Sequence, residues 1–329
     1  MKPLSRTIAC LTLAIAAAVP LAPARPASAS SDDQLTFATP EDALKALKDA
    51  AAAKDKAALE QIFGPASKDL MNPDAVQSAA ECEAFSKHLA EMSNLVRRGD
   101  DQVVLYIGQE NWPMPIPIVR KDGKWYFDTV AGKDEILARR IGENELNTID
   151  VCRAYVVAQN EYHATDWNGD DMLEYAQHFK SSPDKKDGLY WEAADNEPQS
   201  PMGPLVAEAR AEGYFAARPP AEGQAQEPPV AGQPAHGQHR PFHGYYFRIL
   251  TKQGPHAPGG AFDYIINGHM VAGFALVAYP AEWGNSGVMT FIVGPRGKVY
   301  QKNLGEKTAE QAAALTEFDP DDTWKPVSE

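Results

Sequence analysis

The sequence predicts an α+β fold, with helices and antiparallel strands segregated along the chain rather than alternating. Three observations carry that expectation. The stretch from Gly132 to Phe179 reads as one long helix, then a compact acidic turn and a short second helix; Leu137, Ile141, Ile149, Cys152, Tyr155 and Val156 share one stripe at helical spacing. Before it, helix signals followed by three short strands make a small α+β domain over residues 36–131. After it, strand-like runs separated by turns form an antiparallel β-meander over residues 244–306, one face of which needs a helix to cover it.

Taken in order, Thr39-Pro40-Glu41-Asp42 is a helix start, with Thr as N-cap, Pro in the first turn and acids where the helix dipole favours them. That helix runs through Ala43, Leu44, Leu47 and Ala50, pauses near Asp55, and resumes to Phe63 before Gly64-Pro65 stops it. A third helix spans roughly Pro73 to Arg98, and strands follow at Gln102 to Ile107, Met114 to Arg120 and Lys124 to Asp128. Asp122-Gly123 is the hairpin turn between the last two. This opening helix pair followed by a sheet resembles, in pattern, the cone-shaped fold of nuclear-transport-factor-2-like proteins. Such cones often hold a pocket, which Tyr106, Trp112, Trp125 and Tyr126 would line unless they fill core and strand positions.

Residues 132–215 form a central segment: the long helix, the acidic turn, an irregular stretch and a short helix from Pro204 to Tyr214. Residues 216–243 are rich in Pro, Gly, Gln and Ala and nearly lack aliphatic side chains, so they read as a flexible loop. In the meander, Asn267-Gly268 and Pro295-Arg296-Gly297 mark tight turns. Residues 307–329 are a tail, with a short helix and then an acidic, Pro-containing end.

Composition excludes some functions. The 329 residues are 44% apolar, ample for real cores, and carry a net charge of −14. Nucleic acid needs a basic footprint, and an anionic membrane surface repels such a chain. Residues 1–29 have the form of a secretory signal: Lys2 and Arg6, an apolar run from Ile8 to Leu21, and the small-residue cleavage site Ala27-Ser28-Ala29. Removing it leaves a chain of about −17 with no later transmembrane segment. Export is the expectation, to the periplasm or the cell surface. Cys82 and Cys152 remain; in an exported protein they read as a disulfide, each on a helical stripe facing a core (Cys82 with Phe85, Leu89, Met92 and Val96), with two buried thiols as the alternative.

The sharpest local motif is Asp166-Trp167-Asn168-Gly169-Asp170-Asp171-Met172-Leu173-Glu174. Asp166, Asn168, Asp170 and Glu174 put oxygen ligands at positions 1, 3, 5 and 9 of a calcium-type loop. Asp171 stands where such a loop has glycine, and Gln177 where it has a bidentate Glu. The alternative is a solvated turn in which Asp166 or Asp170 caps the next helix. His236, His239 and His243 lie close enough together to hold zinc or copper, or are simply histidines of a flexible loop. No Gly-x-Ser-x-Gly elbow, phosphate-cradling loop or His-Glu-x-x-His helix occurs, and no catalytic residue stands out.

Two resemblances bear on the whole. Ala158-Gln159-Asn160-Glu161-Tyr162, the acidic turn, Glu174-Tyr175-Ala176, Gly244-Tyr245-Tyr246-Phe247 and Thr290-Phe291-Ile292-Val293 make a helix-turn-meander order that resembles the globular part of type IV pilin-like proteins. The chain lacks a prepilin cleavage site followed by an apolar assembly helix. Pro40-Glu41-Asp42-Ala43, Asp122-Gly123-Lys124-Trp125-Tyr126-Phe127-Asp128-Thr129, Gly142-Glu143-Asn144-Glu145-Leu146, Gly254-Pro255-His256-Ala257-Pro258-Gly259-Gly260-Ala261 and Gly273-Phe274-Ala275-Leu276-Val277-Ala278-Tyr279-Pro280 resemble a bacterial exported family known only as domain-of-unknown-function family 2950. That resemblance implies no activity and no catalytic residue.

The functional expectation is an exported, non-enzymatic binding or structural accessory module with a protein or small-molecule ligand in the cell envelope. The alternatives are an enzyme of unrecognised type, using the acidic turn or an aromatic pocket, and an accessory of a pilus or secretion system.

Overall fold

Thr39 Oγ1 accepts the backbone N–H of Asp42, and Pro40 sets the first turn, so the first helix begins where its capping signal places it. In this computed structural model the described residues are 34–167, 169–194, 196–214 and 240–328. The signal-like residues 1–29 and His236 and His239 lie outside them. Mixed helix and antiparallel sheet bear out the α+β class.

Helices α1 (Pro40–Ala53) and α2 (Lys56–Phe63), a 3-10 turn at Pro65–Leu70 and α3 (Ala75–Glu91) pack on the first sheet. That sheet holds β1 (Ser93–Arg97), β2 (Gln102–Ile107), β3 (Trp112–Pro113), β4 (Ile118–Lys121) and β5 (Lys124–Phe127), all antiparallel. Asp122 and Gly123 take φ of 52° and 78°, the left-handed pair that a two-residue hairpin demands. Leu47, Ile62, Leu89, Leu105, Ile118 and Phe127 fill the core between helices and sheet.

The expected third helix is shorter than its pattern. α3 ends at Glu91, and Ser93–Arg97 pair instead with β2, from Ser93 opposite Ile107 to Arg97 opposite Val103. Pairing with β2 overrides the helical reading of Met92 and Val96. Trp125 and Tyr126 are buried, Trp125 with the Arg97 and Arg120 guanidinium groups 5.8 and 5.6 Å from its ring. Trp112 is exposed beneath Arg139, and Tyr106 accepts a hydrogen bond from Arg98.

Helix α4 (Thr129–His163) has 35 residues, roughly 50 Å of helix, and opens at Asp128, whose carboxylate accepts the Ala131 N–H. Its buried stripe runs Arg140, Asn144, Thr148, Ile149, Cys152, Tyr155, Gln159 and Tyr162. Toward the C-terminus of α4 the stripe is mostly apolar, and toward its N-terminus it is polar. There Arg140 donates to Asn285 Oδ1 at 2.6 Å and to the Leu70 carbonyl at 2.8 Å. Asn144 accepts from Gln77 Nε2 at 2.7 Å and donates to the Ser286 carbonyl at 2.8 Å. Glu145 accepts the backbone N–H groups of Val288 and Met289. Burial lowers the Arg140 guanidinium from its ordinary range, against the pull of Glu81 and Glu282. Asp74, the buried N-cap of α3, accepts the Val76 and Gln77 N–H groups on one oxygen and the Tyr214 hydroxyl and Gly244 N–H on the other. Residues up to 77 and residues beyond 240 thus meet on α4 through a polar band in which Asp74, Arg140 and Asn144 are hydrogen-bonded, while the buried Thr148 hydroxyl has no partner among the described residues.

Beyond α4 come β6 (His178–Lys180) and β7 (Gly188–Tyr190), a short parallel pair, and α5 (Gly203–Ala211). Next are β8 (Tyr245–Leu250), β9 (Lys252–Gln253), β10 (Phe262–Asp263), β11 (Ile265–Ile266) and β12 (His269–Met270). The chain closes with β13 (Ala275–Pro280), β14 (Met289–Val293), β15 (Val299–Asn303), α6 (Thr308–Ala314) and β16 (Lys325–Pro326). The main sheet has the order β16-β15-β14-β13-β8, every pair antiparallel. Helix α4 packs on β13, β14 and β15, so the long helix covers the meander as expected. Successive residues of β13 and β14 are buried alike, which means both faces are covered, and α6 also packs on β13.

Candidate functional site

The acidic turn follows the last turn of α4. Asp166 spends both carboxylate oxygens on the chain, accepting Gly169 N–H at 2.8 Å and Asp171 N–H at 2.9 Å, while Asp170 Oδ1 accepts Met172 N–H at 2.9 Å. Gly169 and Asp171 take φ of 75° and 63°. The left-handed step that a calcium-type loop gives to glycine is therefore present at Asp171, a residue type that tolerates it. Asn168 lies outside the described residues.

The short helix expected after the turn is absent: residues 172–176 form neither helix nor strand. Tertiary partners take the backbone groups that a helix would have paired internally. Tyr175 N–H donates to the Met270 carbonyl at 2.7 Å, Ala176 N–H to Gln159 Oε1 at 2.8 Å, and Gln159 Nε2 back to the Ala176 carbonyl at 2.8 Å. Gln177 Nε2 donates to the Gly268 carbonyl at 2.7 Å, so this segment is fastened along the β11–β12 hairpin.

That hairpin brings His269 onto the turn. Its Nδ1 lies 3.2 Å from Glu174 Oε2 and 3.5 Å from Asp170 Oδ2. Ligand atoms of Asp170, Glu174 and His269 all lie within 4.8 Å of one another, and Glu174 is the most shielded of the three. Of the four residues expected to hold calcium, the structure gathers Asp170 and Glu174, while Asp166 caps the turn by accepting the Gly169 and Asp171 N–H groups. His269 was invisible as a member: it is 95 residues from Glu174, and the only local signal was the Asn267-Gly268 turn that presents it.

The expected bridge is not seen: Cys82 and Cys152 stand as free thiols, Cys82 exposed and Cys152 buried. The stripe that would carry Cys82 into a core ends with α3; Met92 and Val96 belong to the strand region instead. Burial pushes the Cys152 thiol up to about 12, which makes it a packing group rather than a nucleophile. His243 is described, and its Nε2 lies 3.2 Å from Glu212 Oε2. No helix among the described residues is long and apolar enough to cross a membrane.

A family model described as "Protein of unknown function (DUF2950)" matches residues 34–327, and the chain belongs to that family. No curated protein and no solved structure matches it.

Proposed function

We propose that this member of the DUF2950 family is an exported, non-enzymatic module, periplasmic or at the cell surface, that binds or structurally supports a protein or small-molecule partner in the cell envelope. The observation that carries the non-enzymatic half is the state of its most displaced ionisable groups. Burial pushes Tyr155, Tyr162, Tyr214, Tyr245 and Tyr264 well above the ordinary tyrosine range, and each hydroxyl donates into the protein, to Ala275 O, Lys186 O, Asp74 Oδ2, Met289 O and Gln253 Oε1. Acid–base catalysis needs groups tuned toward the working pH. These are tuned away from it and act as pins of the core. Export rests on the form of residues 1–29, and the pilin-like packing of a long helix on a meander belongs to the same reading.

Cell fractionation with intact-mass measurement tests the export: the expected product is secreted or periplasmic and begins after Ala29. A cytoplasmic product retaining residues 1–29 would overturn it. The released protein should leave ester, amide, glycoside and phosphate-ester substrates unturned; turnover abolished by Glu174→Gln would establish an enzyme instead.

A further inference from the structure

The donor set at the acidic turn does not match the metal its sequence suggests. From this geometry we infer that Asp170, Glu174 and His269 form a binding site for a divalent transition ion of the zinc class, and not for calcium. The inference stands apart from the export and binding reading above.

Two ligand atoms held about 2.0–2.1 Å from one zinc ion at a tetrahedral angle lie roughly 3.4 Å apart. The His269 Nδ1 separations from Glu174 Oε2 and Asp170 Oδ2 are 3.2 and 3.5 Å. Those two separations, the shorter of them a hydrogen bond, match the edge of such a tetrahedron, and all three ligand atoms lie within 4.8 Å of one another. An imidazole nitrogen with two carboxylates suits zinc and its neighbours, whereas calcium takes about six to eight oxygens. The donors come from two distant segments, so this is not a run of acids along one loop. Both segments are positioned without the metal: Tyr175 N–H to Met270 O and Gln177 Nε2 to Gly268 O fix the hairpin against the turn. The bound ion would staple the exit of α4 to the β11–β12 hairpin.

The test uses the full chain, stripped of metal, titrated with Zn²⁺ by calorimetry and with Co²⁺ by visible absorption. One equivalent should bind with d–d bands of a low-coordinate nitrogen/oxygen site, the melting temperature should rise with Zn²⁺, and millimolar Ca²⁺ should not compete. Glu174→Gln and His269→Gln should each weaken binding by about tenfold or more. Asp170→Asn, on the more exposed carboxylate, should do the same while melting without metal like the parent chain. The triple variant His236→Ala/His239→Ala/His243→Ala should bind as the parent does. The proposal is overturned by an absence of stoichiometric binding, by binding indifferent to Glu174→Gln and His269→Gln, by loss in the triple histidine variant, or by displacement with calcium.

Discussion

Replacing Asn144 by Ala tests how firmly α4 unites the two ends of the chain. Asn144 is fully buried, and its amide makes two bonds to partners 67 and 142 residues away, Gln77 and the Ser286 carbonyl. Truncation leaves the Ser286 carbonyl without this donor in a residue that is itself fully buried. An unsatisfied buried acceptor costs about 1–3 kcal/mol, and losing the Gln77 bond, whose donor is half-buried and can turn to water, adds about 0.5–1.5 kcal/mol. Together these cost about 1.5–4.5 kcal/mol. For a unit of this size each kcal/mol moves the melting temperature by roughly 2 °C, so a fall of about 3–9 °C is expected. Asn160→Ala is the control: it lies on the same helix but is exposed, and its Nδ2 bonds only the Val156 carbonyl one turn back. Its melting should shift by at most about 1 °C. Differential scanning calorimetry of the three proteins decides the matter. Equal melting of Asn144→Ala and Asn160→Ala would show that the polar band does not hold the ends together.

The other predictions concern single groups. Tyr155→Phe removes a hydroxyl that donates to Ala275 O and accepts from Gln159 Nε2, both fully buried, and should destabilise by about 1–3 kcal/mol; urea unfolding as in the parent would refute that role. Native thiol labelling at pH 8 should modify Cys82 and spare Cys152, and Cys82→Ser should abolish it; an unreactive Cys82 would contradict its exposure. The His256 imidazole, 2.8 Å from Asp319 Oδ2, titrates above its ordinary value because of that hydrogen bond and charge. Its contribution to stability is therefore complete below the unfolded value and is lost as pH rises through the raised folded one. An NMR titration should show Asp319→Asn returning it toward the ordinary value, and no change would exclude the pair.

Much of the fold was legible because its signals were local. Thr39-Pro40, Asp122-Gly123 and Asn267-Gly268 each carry their own turn or cap chemistry, and each fixes an element boundary in the structure. The failures share another cause, a partner distant in sequence. Ser93–Arg97 becomes a strand because β2 is beside it, and residues 172–176 stay non-helical because Met270 and Gln159 take the backbone groups of Tyr175 and Ala176. On α4 the apolar pattern marks Ile149, Cys152 and Tyr155 but not Arg140, Asn144 and Thr148, which continue the same buried stripe with polar side chains. Arg140 and Asn144 are buried because distant partners reach them, which spacing does not encode; the Thr148 hydroxyl is buried with no partner among the described residues. The candidate site divides likewise: Asp170 and Glu174 belong to a readable motif, whereas His269 reaches them only through the folded hairpin.

Native-state hydrogen exchange resolved by residue on α4 tests the central claim, that this helix is the scaffold joining both cores. If it is, amides from 144 to 159 will be among the slowest in the chain and will exchange only with global opening, together with those of Leu105 in the first sheet and Phe291 in the second. Exchange of the α4 amides at a lower free energy than either sheet would contradict it.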